Sequence, residues 1–112
     1  MKTFPIPHTT MVTEEQIDDI MTTALEGGIT YWAAGCVVKD QPEGGDIHWA
    51  SEVISKGGSV KILDREEATW HTLDRDAFLK GLTKADIDLE NYDAADADRV
   101  IQFAIFGKLV YS

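Results

Sequence analysis

Three histidines and one cysteine are the side chains of this sequence best suited to making and breaking bonds. Cys36 beside a histidine would form a nucleophile with its general base. His8, His48 and His71 are scattered, however, and show neither the H-x-x-x-H nor the H-E-x-x-H spacing that sets two imidazoles on one helix face for a metal. Cys36 lies in an apolar stretch, where a buried and inert thiol is expected. His71, between Trp70 and Thr72, reads as a surface or half-buried imidazole. One cysteine permits no internal disulfide and no cysteine-based zinc centre.

Carboxylates are plentiful, but general acid–base work needs an acid whose pKa is raised in a pocket. Asp86, Asp88 and Glu90 alternate like the opening of a calcium loop. The pattern then fails, because Asn91 stands where the loop wants glycine and Ala97 where it wants the bidentate glutamate. The three Gly-Gly pairs, at 27–28, 44–45 and 57–58, make neither a Walker loop nor G-x-G-x-x-G, and helix stops and turns explain them. No catalytic constellation, metal site or cofactor site emerges, so the expectation is a protein that is not an enzyme.

The charge is more informative. Twenty acids face ten bases, a net of −10. One segment holds Glu14, Glu15, Asp18, Asp19 and Glu26 with no base. A second holds Asp86, Asp88, Glu90, Asp93, Asp96 and Asp98 against Arg99 alone. The rest of the chain is neutral, so these two segments carry the whole excess. A field of that sign repels nucleic acid and anionic membrane, whose recognition needs Lys and Arg. It favours a protein partner with a basic surface.

Those carboxylates need elements to hold them. Thr13 with Gln16 forms a capping box, and Val12 with Ile17 a hydrophobic staple. Ile17, Ile20, Met21, Ala24 and Leu25 make one apolar stripe, with Asp18, Asp19 and Glu26 away from it. The spacing predicts a helix over residues 14–26, ended by Gly27 in a left-handed conformation. Asp93 caps a second main helix over 94–106, with Ala94, Ala97, Val100, Ile101, Ala104 and Ile105 on one face and Gly107 as its stop. Between them, Ile29 to Val38 reads as a strand, with Trp32, Ala34, Cys36 and Val38 on one side. Residues 59–73 form a hairpin, and short helices cover 47–56, capped by Asp46, and 75–82, weakened by Gly81. Lys84 to Tyr92 is an acidic connection, and Leu109 to Tyr111 a last short strand. The fold class expected is α+β in one domain over 1–112: a small, mainly antiparallel sheet, two main helices and two short ones, after an extended lead-in over 1–12. Residues 1–10 lack a long apolar run, which is unlike a signal peptide or anchor and points to a cytoplasmic protein.

The stretch from Thr13 to Trp32, TEEQIDDIMTTALEGGITYW, resembles the opening of a family of small bacteriophage and prophage proteins. The close, DAADAD at 93–98 followed by IQFAIFG at 101–107, resembles their final helix. The resemblance implies a phage or mobile-element origin and a bacterial cytoplasm, and it transfers no catalytic residue.

Two functional expectations follow. In the first, the eleven carboxylates of the two segments share a face, mimic the phosphate array of a nucleic acid, and occupy a basic site on a host or phage protein, with Trp49 as an aromatic anchor. The plain alternative is that the acidity serves only solubility. In the second, the Gly-Gly turns, Tyr31, Trp32 and Trp49 line a pocket for a small molecule such as a signalling nucleotide, with Lys56, Lys61 and Arg65 offsetting the charge. Surplus aromatic surface is also compatible with a homodimer.

Overall fold

The computed structural model describes residues 3–5, 11–45 and 47–112. It is an α+β protein with two antiparallel sheets and four helices among those residues. Strands β1 (Thr3–Pro5) and β2 (Met11–Thr13) pair antiparallel, with Phe4 opposite Val12. Residues 3–5 and 11–13 are therefore extended because they pair. His8 and Pro7, between the two strands, lie outside the described residues.

Helix α1 (Glu14–Thr23) starts as its local chemistry dictates. The Thr13 N–H donates to Gln16 Oε1 at 2.9 Å and Gln16 N–H to Thr13 Oγ1 at 3.1 Å, which completes the capping box. Its end differs from the expectation. The helix widens into a π turn over Ala24–Gly28, closed by the Ile29 N–H on the Ala24 carbonyl at 2.9 Å. Gly27 is not left-handed. The glycine that matters is Gly28, where a Cβ would stand 2.7 Å from the Ala94 carbonyl oxygen.

Strands β3 (Ala33–Asp40), β4 (Ser59–Asp64) and β5 (Thr69–Asp74) form the main sheet in the order β3-β4-β5. Cys36, Ile62 and His71 make one cross-strand row, and Val38, Val60 and Leu73 the next, both turned to the core. A bulge between Ala33 and Gly35 breaks the strict alternation. Ala33 thus packs inward with Cys36 and Val38, while Ala34 is exposed. Trp32 precedes the strand and is buried from the turn. The other sheet face shows Val37 and Trp70 to solvent, with Lys61 Nζ 5.4 Å from the Trp70 ring centre.

Helix α2 spans only Ala50–Val53, not 47–56, and Trp49 precedes it without a side-chain cap. Asp46, the expected cap, lies outside the described residues. Helix α3 (Arg75–Ala85) runs past the expected end at residue 82. Gly81 does not weaken it but marks where it crosses α4 (Ala94–Phe106). A Cβ there would lie 2.4 Å from the Val100 carbonyl oxygen and 2.7 Å from Ala104 N. Leu109 to Tyr111 is not a strand. The backbone N–H groups of Val110 and Tyr111 both donate to Gln102 Oε1 at 2.8 Å, so a side-chain amide replaces the neighbouring strand that the tail lacks.

The two glycine contacts separate in a stability measurement. Gly81→Ala forces backbone against backbone and should cost about 1–3 kcal/mol in urea unfolding. At Gly27 a Cβ meets nothing within 4 Å, so Gly27→Ala should be neutral or stabilise by up to about 1 kcal/mol. Equal effects at the two positions would contradict the helix crossing described.

Candidate functional site

The two acidic segments meet. Tyr92, just before α4, donates its hydroxyl to Asp19 Oδ2 on α1, and the Gly28 backbone rests on the first turn of α4. The carboxylates nevertheless divide into distinct groups.

Glu14 and Asp18 face α2. Lys56 Nζ lies 3.4 Å from Glu14 Oε2 and 3.9 Å from Asp18 Oδ2, and the Ser55 hydroxyl donates to Asp18 Oδ1 at 2.6 Å. Partial burial holds the Asp18 carboxyl above its ordinary value, against the opposing pull of Ser55 and Lys56. Asp93 and Asp96 exchange hydrogen bonds as the N-terminal box of α4, at 3.0 and 3.2 Å, and Arg99 Nη1 lies 3.5 Å from Asp96 Oδ1. Asp86 ends α3 in a left-handed conformation, and Asp88 Oδ1 accepts the Glu90 N–H at 2.9 Å. Glu15, Asp19, Glu26, Asp86, Asp88, Glu90 and Asp93 are exposed, and none has a cationic partner within 4.0 Å among the described residues.

Asp98 leaves this set. It is 7 % exposed and belongs to the interior, not to the surface expected of it. Its Oδ1 accepts Trp32 Nε1–H at 2.7 Å and Gln102 Nε2–H at 2.9 Å, and its Oδ2 accepts the Tyr31 hydroxyl at 2.6 Å. All three donors are neutral. Gln102, wholly buried, also donates to the Tyr111 carbonyl at 3.1 Å, while its own oxygen holds the tail N–H groups. Tyr111 stacks on Trp32 at 5.4 Å between ring centres, with an 11° tilt. Its hydroxyl reaches Asp64 Oδ1 and Oδ2 at 2.7 and 2.8 Å. Asp64 is a second buried carboxylate, 1 % exposed, which also accepts the Glu66 and Glu67 N–H groups. Burial pushes the Asp64 carboxyl up, but the bonds from Tyr111, Glu67 and Glu66, with His71 nearby, outweigh it and leave it below the ordinary carboxylate value.

His71 Nε2 stands 3.8 Å from Asp64 Oδ2, beyond hydrogen-bond reach, and its ring meets Phe106 edge-on. Ile62 separates it from Cys36, so these two do not form a nucleophile and base. Burial pushes the Cys36 thiol up to about 11, which leaves almost no thiolate near neutrality. Trp49 is 70 % exposed and stands on the α2 side of the molecule. Lys56, Lys61 and Arg65 do not converge: Lys56 serves Glu14 and Asp18, Lys61 lies by Trp70, and Arg65 reaches the carbonyls of Tyr31 and Ala33 at 3.4 and 3.5 Å.

A hollow of about 570 Å³ opens along the seam of the π turn, α4 and the tail. Gly27, Gly28, Ala94, Tyr31, Asp98 and Tyr111 are among its lining residues. Of the residues expected to line a pocket, Gly27, Gly28 and Tyr31 are here and Trp32 and Trp49 are not, and the part Asp98 plays in this place was not expected from the sequence. Its one local signal is Asp98 and Gln102, four residues apart on α4, a polar pair beside an otherwise apolar stripe. No protein-family model, curated protein or solved structure matches the chain. Among the described residues, no helix is long and apolar enough to cross a membrane.

All three tyrosines of the chain donate to an aspartate, Tyr31 to Asp98, Tyr92 to Asp19 and Tyr111 to Asp64. Burial first and the aspartate second push Tyr31 and Tyr92 up to about 12. For Tyr111 the Asp64 bond leads, with the same result of about 12. Each folded-state value lies above the unfolded value of 10.0. The stability these phenols contribute is therefore complete below that pH and is lost as pH rises through their folded values. Absorbance at the phenolate band should show no step near pH 10 and a single late rise. A third of the amplitude appearing near pH 10 would contradict one of the three pairs.

Proposed function

We propose that this chain is a non-enzymatic accessory protein of a phage or prophage, acting in the bacterial cytoplasm, that binds a host or phage protein through its acidic face. The observation that supports the reading is the contact of the two charged segments at Tyr92 and Asp19, together with seven exposed carboxylates in those segments, Asp19 among them, that have no cationic partner within 4.0 Å among the described residues. Carboxylates crowded on one face repel one another. A surface of opposite sign relieves that repulsion, releases counterions and speeds encounter. The natural complement is a protein site built to hold phosphates, which the face would occupy as a decoy for nucleic acid. Of the eleven expected carriers, Asp98 is buried and Glu14, Asp18 and Asp96 lie near Lys56 or Arg99, which leaves these seven.

Retention of lysate proteins on the immobilised chain tests this. Binding is expected at about 0.01 M ionic strength and should be lost near 1 M, where the screening length falls to about 3 Å. Neutralising Glu15→Gln, Glu26→Gln and Glu90→Gln together should abolish it. The same number of changes at Glu43, Glu66 and Glu67, outside the two segments, should not. No retained protein at low salt, or equal loss in both triple variants, would overturn the proposal.

A further inference from the structure

We propose that the hollow beside Asp98 binds an alkylammonium group, with the charged nitrogen against Asp98 Oδ2 and the Tyr31 ring and the alkyl chain toward Leu109. A carboxylate offers about four lone-pair positions. Asp98 Oδ1 uses two of them, on Trp32 and Gln102, whereas Oδ2 accepts only the Tyr31 hydroxyl. One position on Oδ2 is therefore open, and Asp98 lines the hollow. No lysine, arginine or histidine nitrogen lies within 4.0 Å of it among the described residues. A buried carboxylate held only by neutral donors remains an uncompensated charge, and an adjoining cation is what lowers its cost.

The remaining walls agree with that polarity. Tyr31 is 47 % exposed, and it and Tyr111 both line the space, so aromatic rings flank the carboxylate as they do in ammonium sites. Leu109, 49 % exposed, supplies an apolar wall. Arg99 also lines the hollow, but its guanidinium is engaged by the Ala85 carbonyl at 2.8 Å and by Asp96 at 3.5 Å. An anion finds no such fit. The first turn of α4 borders the hollow, yet its capping box already takes the Asp96 N–H, and Asp98 would face any phosphate. A volume of about 570 Å³ lies within the usual range for a small-ligand pocket.

An alkylammonium reaches the site either as a free amine or as a lysine side chain of a bound protein. The site does not depend on the acidic-face reading, since amine binding is measured on the pure protein. The reporter is the indole N–H resonance of Trp32, whose acceptor is Asp98. n-Butylamine hydrochloride and putrescine form one arm, and a short peptide with blocked ends and a single lysine forms the other. Sodium chloride and sodium phosphate at matched ionic strength are the references. A saturable shift with a dissociation constant around the millimolar range is expected for at least one arm. Tighter binding of the amines assigns the site to a free ligand, and tighter binding of the peptide assigns it to a partner's lysine. Asp98→Asn should weaken binding at least about tenfold. Gly27→Leu, at an open position that also lines the hollow, should block it while leaving the unfolding midpoint near that of the wild type. No shift beyond the chloride reference in either arm, a saturable response to phosphate instead, or undiminished binding in Gly27→Leu would overturn the proposal.

Discussion

The buried carboxylate of Asp98 is the constraint around which this small protein is arranged. An ionised group taken out of water is tolerated only when its lone pairs are met by donors. Here the three donors come from two places: Tyr31 and Trp32 from the turn after α1, and Gln102 from one helical turn along α4. Gln102 can serve Asp98 only with its amide nitrogen inward, which turns its oxygen to the tail and seizes two backbone N–H groups. That places Tyr111 flat on Trp32 and brings its hydroxyl to Asp64 at the hairpin turn. One connected set of bonds thus ties helix, turn, tail and sheet, in a chain too short to rely on a large core alone.

The acidity of the protein consequently serves more than one purpose. Asp98 and Asp64 are internal, and Asp93 and Asp96 close a helix end. Asp19 and Tyr92 clamp the two charged segments together. What is left outside is a set of carboxylates with no cationic partner within 4.0 Å among the described residues, in a chain whose remaining residues are balanced in charge. Solubility alone would be served as well by acids spread evenly. Their confinement to two segments of the sequence, in place of an even spread, is the charge pattern from which the proposed electrostatic binding surface is argued.

Much of the fold was legible because its signals are local. The Thr13–Gln16 box, the α1 stripe, the Asp93 cap and the Gly107 stop are each written within a few residues, and each element begins where they put it. The hairpin could be read from its alternation and from the polar turn after Asp64. Apart from the shorter α2, the failures are non-local. Leu109 to Tyr111 has the composition of a strand, but a strand needs a partner strand, and here Gln102 supplies the acceptor. Gly81 looks like a weak helix end until α4 is laid across it. Gly28, not Gly27, is the necessary glycine, because the reason lies in Ala94, well over half the chain away. Asp98 sits in an acidic run with every appearance of a solvated residue. Its burial depends on Trp32, and the one local hint is its spacing, four residues after Ala94 and three before Ile101, at the edge of the apolar stripe of α4.

Hydrogen exchange at the three indole N–H groups, followed in one set of spectra, tests this arrangement most directly. Trp32 should exchange only as fast as the whole molecule unfolds, because its proton is held by a buried carboxylate. Trp49 and Trp70, both open to solvent, should exchange within the first spectrum. A Trp32 indole that exchanges as quickly as the other two would mean that Asp98 is not the internal anchor described.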